Sequence, residues 1–289
     1  MNAINGFLTV LFDLVLKPLE ALGSEMALTI VSGVFGVLAL VAFKYISWQK
    51  GIKATKDRIK GHMIEIRLYQ DDLVLVSKAI GKVLLRNFQY LFLNFGPFIP
   101  LAIPFAFVVA QMVVRYAFDP VEVNRTPIEQ LHAGEGTTIR IDLVGEFQDR
   151  AGELELVLPE GLEAVSPLVP VKGIVAQEFV ARQAGEYDIV IRLGGEEYIK
   201  KFDAHDPDGE SERPRSMQPE RVTGFFNALL WPAEDTFSEG SGISRVSFVY
   251  PESDLGWLPS QGPGGVIIWF VIASMAFGVI MLKPLGVRI

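Results

Sequence analysis

The sequence predicts a multi-pass α-helical membrane protein with three spans, joined to an antiparallel β-domain that faces water. Half of the 289 residues are hydrophobic, only 21% are charged and the mean hydropathy is +0.33, which is too apolar for an ordinary soluble chain. Three runs of 18, 28 and 28 residues contain no charged side chain: Met26–Phe43, Asn87–Val114 and Leu255–Leu282. A bilayer requires about 20 apolar residues per helix, so each run predicts one span. Between the second and third runs, hydrophobicity alternates with period two, which is typical of β-strands.

Composition excludes several classes of chemistry. The absence of cysteine rules out disulfides, thiolate metal sites and cysteine nucleophiles. The three histidines (His62, His132 and His205) are far apart in sequence, which argues against a histidine-rich metal centre. A pI of about 5.1 argues against DNA binding. No P-loop, dinucleotide, metalloprotease or serine-hydrolase signature occurs, so we expect neither an enzyme nor a cofactor.

The distribution of charge predicts the orientation in the membrane. Residues 44–86 contain ten basic and four acidic residues, whereas 115–262 contain thirteen basic and twenty-seven acidic ones. The positive-inside rule assigns 44–86 to the cytoplasm, together with the tail that carries Lys283 and Arg288. With three spans, the N-terminus and the β-domain then lie outside. The predicted location is the inner, cytoplasmic membrane.

Residues 1–23 are predicted to form an interfacial amphipathic helix. A narrow polar stripe is surrounded by apolar residues, which suits the headgroup boundary. The stripe consists of Asn5, Thr9, Asp13, Lys17 and Glu20. A signal peptide is the alternative, but a basic leading region and a small-residue cleavage site are missing, so we expect this segment to be retained.

The first span, 24–47, leads into a basic cytoplasmic segment, 48–88. Isoleucine or leucine recurs there at an interval of seven and no proline interrupts, which predicts a long amphipathic helix, a coiled coil or a hairpin of two helices. The recurring residues are Ile52, Ile59, Ile66, Leu73 and Ile80.

The second span, 89–117, contains three prolines near its beginning: Pro97, Pro100 and Pro104. Proline removes a backbone donor and kinks a helix, and the freed carbonyls need other partners in lipid. Two interpretations follow: a bent or re-entrant entry to an ordinary helix, or a deformable span lining a polar cavity.

Residues 120–254 are predicted to form an antiparallel β-sandwich of immunoglobulin-like type. Glycine- and proline-rich turns separate alternating segments at 138–143, 153–158, 187–193 and 197–202, and 243–250 is expected to complete the sheet. A polar loop, 203–222, contains Asp206, Asp208 and Glu210, but the full calcium-loop pattern is missing, so a solvated acidic loop is favoured.

An apolar cluster, Phe225–Trp231, follows that loop. It is expected either to pack under the sandwich or to touch the outer membrane surface. The third span is predicted at 263–283 and the cytoplasmic tail at 284–289.

A few polar residues lie within or beside the spans. They are expected either to form helix–helix hydrogen bonds, worth about 0.6 kcal/mol each, or to line a hydrated groove open to the cytoplasm. The candidate groove residues are Thr29, Ser32, Lys44, Asn94 and Gln111. The candidate cytoplasmic contact residues are Lys50, Lys53, Lys56, Arg58, Lys60 and Arg86.

This order of segments resembles the YidC/Oxa insertase superfamily, in particular its short three-span branch, which includes archaeal YidC-like proteins and the insertase subunit of the ER membrane protein complex. The resemblance is carried by Phe43–Ser47, Lys53–Lys60 and Leu91–Val114, and is one of topology and charge layout. Two features depart from it: the only base of the first span is Lys44 at its edge, where bacterial insertases typically carry an arginine in the groove, and the β-domain is inserted between the second and third spans.

The resemblance implies an insertase-like protein that assists insertion or assembly of membrane proteins through a polar intramembrane groove. Its expected partners are the lipid bilayer, nascent membrane-protein segments or the ribosome, and other membrane-complex subunits. The alternative is a non-catalytic accessory or structural subunit whose β-sandwich binds a periplasmic partner. An insertase requires polar side chains that converge on a cavity, whereas an accessory subunit requires apolar packing of its spans.

Overall fold

The computed structural model describes residues 2–208, 216–238, 240–256 and 260–287. Part of the predicted acidic loop, including Glu210, and Arg288 of the tail lie outside these ranges. The helices are α1 (Asn2–Glu20), α2 (Ser24–Ile46), α3 (Gln49–Leu68), α4 (Leu73–Phe95), α5 (Phe98–Tyr116), α6 (Phe225–Leu230) and α7 (Gly262–Leu285).

The chain divides into two compact units. The first unit comprises Met1–Leu28 and Phe107–Trp269, and the second comprises Thr29–Ala106 and Phe270–Ile289. The first unit therefore contains α1, α6 and all of the β-structure, whereas the second contains α3, α4 and most of α2 and α7.

Four stretches in the described part of the chain are long and apolar enough to cross a membrane: α1, α2, the continuous stretch Leu73–Tyr116, and α7. The chain thus combines helices of membrane-spanning character with a separate β-rich region. Three such stretches correspond to the three charge-free runs. The fourth is α1, which the sequence assigns to the interface.

The ends of α4 follow local chemistry. Asp72 caps the helix, because its carboxylate accepts hydrogen bonds from the amides of Val74 (2.9 Å) and Leu75 (3.1 Å). The helix continues to Phe95 and stops at a turn formed by Gly96 and Pro97. The boundary expected between residues 88 and 89 therefore lies inside α4, since charge marks the predicted membrane edge but does not end a helix.

Two of the three prolines of the second span lie at positions where they remove no backbone hydrogen bond from a helix. Pro97 lies in the turn before α5, and Pro100 lies in the first turn of that helix, where no amide is required as a donor. Only Pro104 lies further inside α5.

The β-rich region contains two sheets. Its strands are β1 (Val121–Glu122), β2 (Thr137–Leu143), β3 (Glu155–Val157), β4 (Leu162–Ala164), β5 (Val169–Val171), β6 (Ile174–Ala181), β7 (Gly185–Leu193), β8 (Glu196–His205), β9 (Glu220–Val222) and β10 (Ile243–Ser247). One sheet has the order β1-β8-β7-β3, and the other has the order β4-β6-β2-β10-β9 with β5 added against β6. All pairings are antiparallel except that of β1 with β8.

Aromatic side chains from the two sheets contact one another. Phe179 of β6 and Phe202 of β8 are both fully buried, and their rings meet edge to face with centroids 4.9 Å apart. The ring of Phe202 also contacts Phe248 and Tyr250. The alternating residues Ile139, Ile141 and Leu143 of β2 belong to the same buried set.

Four strands (β2, β3, β7 and β8) overlap the four alternating segments of the sequence, and β10 joins β2 within the predicted segment 243–250. The central strand β6 was missed. Its alternation is hidden because Gln177 occupies an inward position, where its side-chain amide donates to the carbonyl of Ser166 at 2.9 Å.

Candidate functional site

The three predicted groove residues of α2 are spread along the helix. Ser32 is fully buried, Thr29 is half-buried and Lys44 is exposed. Lys44 Nζ donates to the carbonyl of Leu285 at the end of α7, at 2.8 Å. With a rise of 1.5 Å per residue, Thr29 and Lys44 are roughly 22 Å apart along the axis. The two residues therefore lie towards opposite ends of α2.

The other two groove residues have their own partners. Asn94 is buried near the end of α4, and its Nδ2 donates to the carbonyl of Tyr90 one turn earlier, at 2.7 Å. Its Oδ1 is buried without a hydrogen-bond partner. Gln111 belongs to the first unit, where its Nε2 donates to Thr9 Oγ1 of α1 at 3.0 Å.

Within the second unit, α2 packs closely against α7. A Cβ atom on Gly36 would lie 2.1 Å from the carbonyl oxygen of Ser274, so only glycine permits this approach. The rings of Phe35, Phe105 and Phe270 form a cluster with centroids 5.3–6.0 Å apart. Small residues at the contact and aromatic packing beside it are typical of helix association in lipid.

The predicted cytoplasmic segment forms two helices, α3 and α4, that pack against each other as a hairpin. Five of its six candidate contact residues are exposed on α3: Lys50, Lys53, Lys56, Arg58 and Lys60. The sixth, Arg86, is half-buried and donates to Gln89 at 2.6 Å.

A small polar network joins the two helices of the hairpin. Glu65 of α3 contacts Lys82 of α4 at 3.3 Å and His62 at 2.9 Å. Both hydrogen bonds lower the pKa of Glu65, and the bond with His62 has the larger effect.

The heptad pattern holds only in the first helix of the hairpin. Ile52 is buried, and Ile59 and Ile66 are half-buried, but Leu73 and Ile80 are exposed. The chain reverses direction between the two helices, so one heptad frame cannot continue through the turn. In α4 the buried and half-buried positions are Val76, Ala79, Val83, Arg86, Gln89, Tyr90, Leu93 and Asn94.

The sequence did not predict that α1 packs through its polar stripe. Arg115, at the end of α5, is 1% exposed and forms an ion pair with Asp13 at 2.7 Å. It also donates to the carbonyl of Thr9 at 3.3 Å, and the Tyr116 hydroxyl donates to Glu20 at 3.1 Å. Asn5, Thr9 and Asp13 of the predicted stripe therefore face protein instead of headgroups, whereas Lys17 and Glu20 are exposed.

A second feature that was not predicted is a buried charged cluster in the β-rich region. Lys200 of β8 is fully buried, and its ammonium forms an ion pair with Glu234 and donates to the carbonyl of Gln218 at 2.7 Å. Burial lowers the pKa of Lys200, and the charge of Glu234 opposes this effect. The sequence did contain an indication that Lys200 is buried, because Tyr198, Lys200 and Phe202 share one face of an alternating strand.

Asp203 and Tyr250 lie beside this cluster. Burial raises the pKa of Asp203 to about 6, against the pull of the hydrogen bond from the Tyr250 hydroxyl at 3.2 Å. A cleft of about 390 Å³ opens nearby, between α1 and the β-rich region of the same unit; its lining includes Thr9, Arg221 and Glu234. The cleft mixes basic and acidic side chains, so it does not favour one ligand charge.

No protein-family model, curated protein or solved structure matches this chain.

Proposed function

We propose that this chain is an insertase-like membrane protein of the YidC/Oxa type, which assists the insertion or assembly of other membrane proteins without covalent catalysis. The observation that carries the proposal is the helical hairpin α3–α4, which lies in sequence between α2 and α5 and exposes five basic residues on α3. A basic surface of this kind can contact a nascent chain, a ribosome or anionic lipid.

The apolar surface of the hairpin supports the same proposal. Large apolar side chains in the second half of α4 are exposed, on both sides of residue 89, where the predicted second span begins. They are Leu84, Leu85, Phe88, Phe92 and Phe95. An incoming membrane segment needs such a surface beside the basic one, because its apolar residues must leave water before they reach lipid.

The proposed topology has three spans, α2, α5 and α7, with α1 in the interface and an immunoglobulin-like β-sandwich outside the cytoplasm. Contacts of α1 support its interfacial placement. Thr9, Asp13 and Glu20 of its polar stripe bind Gln111, Arg115 and Tyr116 at the end of α5, and α1 also exposes large apolar residues such as Phe7 and Leu14. A helix that is bound to protein through polar residues at the end of a proposed span, and that leaves an apolar face open, suits the headgroup boundary.

The function is tested by insertion of a short-tailed, single-span substrate into proteoliposomes that contain the purified chain. We expect insertion above that of empty liposomes, and we expect Lys53→Glu combined with Lys56→Glu to reduce it. Lys172→Glu combined with Lys201→Glu, two exposed bases of the β-rich region, is the matched control and should leave insertion unchanged. Equal insertion by empty and loaded liposomes would refute the proposal.

A non-catalytic accessory subunit is the second candidate, and the packing of the second unit favours it. The contact of α2 with α7 is built from glycine and aromatic side chains, and Thr29 and Lys44 lie towards opposite ends of α2. On this proposal, depletion of the protein leaves substrate insertion unchanged, and a stable complex with other membrane subunits is isolated in mild detergent.

Sidedness is tested separately, because the chain has no native cysteine. Single cysteines at Lys56 and Glu160 should react with an impermeant maleimide from opposite sides of the membrane. Labelling of both positions from the outside would overturn the proposed orientation.

A further inference from the structure

Helix α6 exposes large apolar side chains on the surface of the β-rich region. Phe225 is 63% exposed, Phe226 is 77% exposed, and Leu230 is also exposed, whereas Ala228 faces inward and is buried. The helix Phe-Phe-Asn-Ala-Leu-Leu contains no charged residue. A cluster of this kind on a water-facing domain indicates a surface that is covered by something apolar.

The position of α6 indicates what covers it. Trp231, directly after α6, contacts Phe118 with ring centroids 6.3 Å apart. Phe118 is two residues beyond the end of α5. If α5 spans the bilayer, α6 lies where that helix leaves the hydrocarbon, which is the level that aromatic side chains favour.

The interfacial helix α1 adjoins α6. Asn5 Nδ2 donates to the carbonyl of Ala228 in α6 at 2.5 Å, and Thr236 Oγ1 donates to Asn2 Oδ1 at 3.2 Å. Because these polar contacts occupy one face of α1, its opposite face exposes apolar side chains, namely Ile4, Phe7, Val10, Leu11, Leu14 and Val15. The exposed residues of α6 thus belong to the same region of the molecule as a helix whose apolar face needs lipid.

We propose that α6 is a membrane-seated element of the β-rich region: Phe225 and Phe226 insert into the headgroup and acyl-chain boundary beside α1 and hold the region against the bilayer. The occupant of this surface is lipid. A protein partner is the competing occupant, but α6 adjoins a helix, α1, whose opposite face is apolar, and it lies at the end of the proposed span α5, where we expect lipid. This inference rests on the proposed span α5 but not on insertase activity.

The test uses single spin labels on the full chain reconstituted in lipid vesicles, since the native chain has no cysteine. The label is placed at Phe226→Cys. Leu38→Cys, at an exposed position in the middle of α2, is the hydrocarbon reference, and Val171→Cys, at an exposed position of β5, is the water reference. Collision rates with oxygen, which concentrates in lipid, are compared with those of a water-soluble nickel chelate.

We expect labels at positions 226 and 38 to collide more often with oxygen than with the chelate, and the label at 171 to show the reverse. A water-like ratio at 226 would overturn the inference, and so would protection from both reagents, because that result means a protein cover. If position 38 is also water-like, the proposed spans fail. If 38 is lipid-like and 226 is not, only the seating of α6 fails.

Discussion

Replacing Lys200 by methionine should destabilise the β-rich region strongly. The substitution keeps most of the side-chain volume but removes the ammonium, so the carboxylate of Glu234, which is 6% exposed, loses its buried partner. Breaking a buried ion pair from one side costs about 3–5 kcal/mol. For a folding unit of this size each kcal/mol lowers the Tm by about 2–4 °C, so we expect a decrease of roughly 10 °C.

Lys201→Met is the matched control. It makes the same change one residue along the strand, where the side chain is exposed, and surface substitutions of this kind stay within about 0.5 kcal/mol. The assay is thermal unfolding of the full chain in detergent, followed by near-ultraviolet circular dichroism. Adding Glu234→Gln to Lys200→Met should restore much of the loss, because it removes the unpaired charge. Equal Tm values for the two single variants would refute the reasoning.

Three further predictions concern other contacts. Gly36→Ala should push α2 away from α7 and lower the free energy of unfolding by about 1–3 kcal/mol. Gly61→Ala, at a position with open space around it, should raise the free energy of unfolding by up to about 1 kcal/mol. Shifts of Tm in the same direction for both variants would contradict this prediction. Burial raises the pKa of Asp203 from 3.8 to about 6, so the folded state binds its proton more tightly and stability falls as pH rises from about 4 to 6. Asp203→Asn should flatten that decrease in Tm, and an unchanged slope would argue against it. Arg115→Met should speed hydrogen exchange of the α1 amides and Lys17→Met should not; equal exchange in both variants would contradict the role of the buried ion pair.

The positions of the apolar helices were predictable, because composition alone identifies segments that are long and apolar enough to cross a membrane. Runs without charged residues cover most of α2, the end of α4 with most of α5, and most of α7, and such runs are what a bilayer requires because it excludes charge from its centre. The heptad frame failed beyond Ile66, since periodicity in the sequence carries no information about where the chain turns. The turn before α4 is instead formed at Asp72, whose carboxylate caps the helix.

The charged cluster around Lys200 was hidden for a different reason. A lysine at an inward strand position contradicts the hydrophobic pattern of the alternating segment 197–202, and the pattern itself does not identify a partner for it. Its partner, Glu234, is 34 residues further along the chain, and one of its main-chain acceptors, the carbonyl of Gln218, is 18 residues further along. Both meet the ammonium only after the sheet has formed. Sequence can flag the anomalous position, but only the fold identifies the counter-charge.

The exposure of the side chains of α1 supports a lipid environment for one side of this helix. Asn5 and the guanidinium of Arg115 are buried at its protein contacts, whereas Phe7, Val10 and Leu14 are each about 70% exposed. In water this arrangement would forfeit about 1.5–3 kcal/mol for each large apolar side chain left uncovered. Lipid removes that cost and raises the cost of an unpaired polar group, so it favours the same polar-inward orientation. Asn5, Thr9 and Asp13 of the polar stripe are therefore contacts towards the protein, which supports the proposal that the wide apolar face of α1 is turned towards lipid.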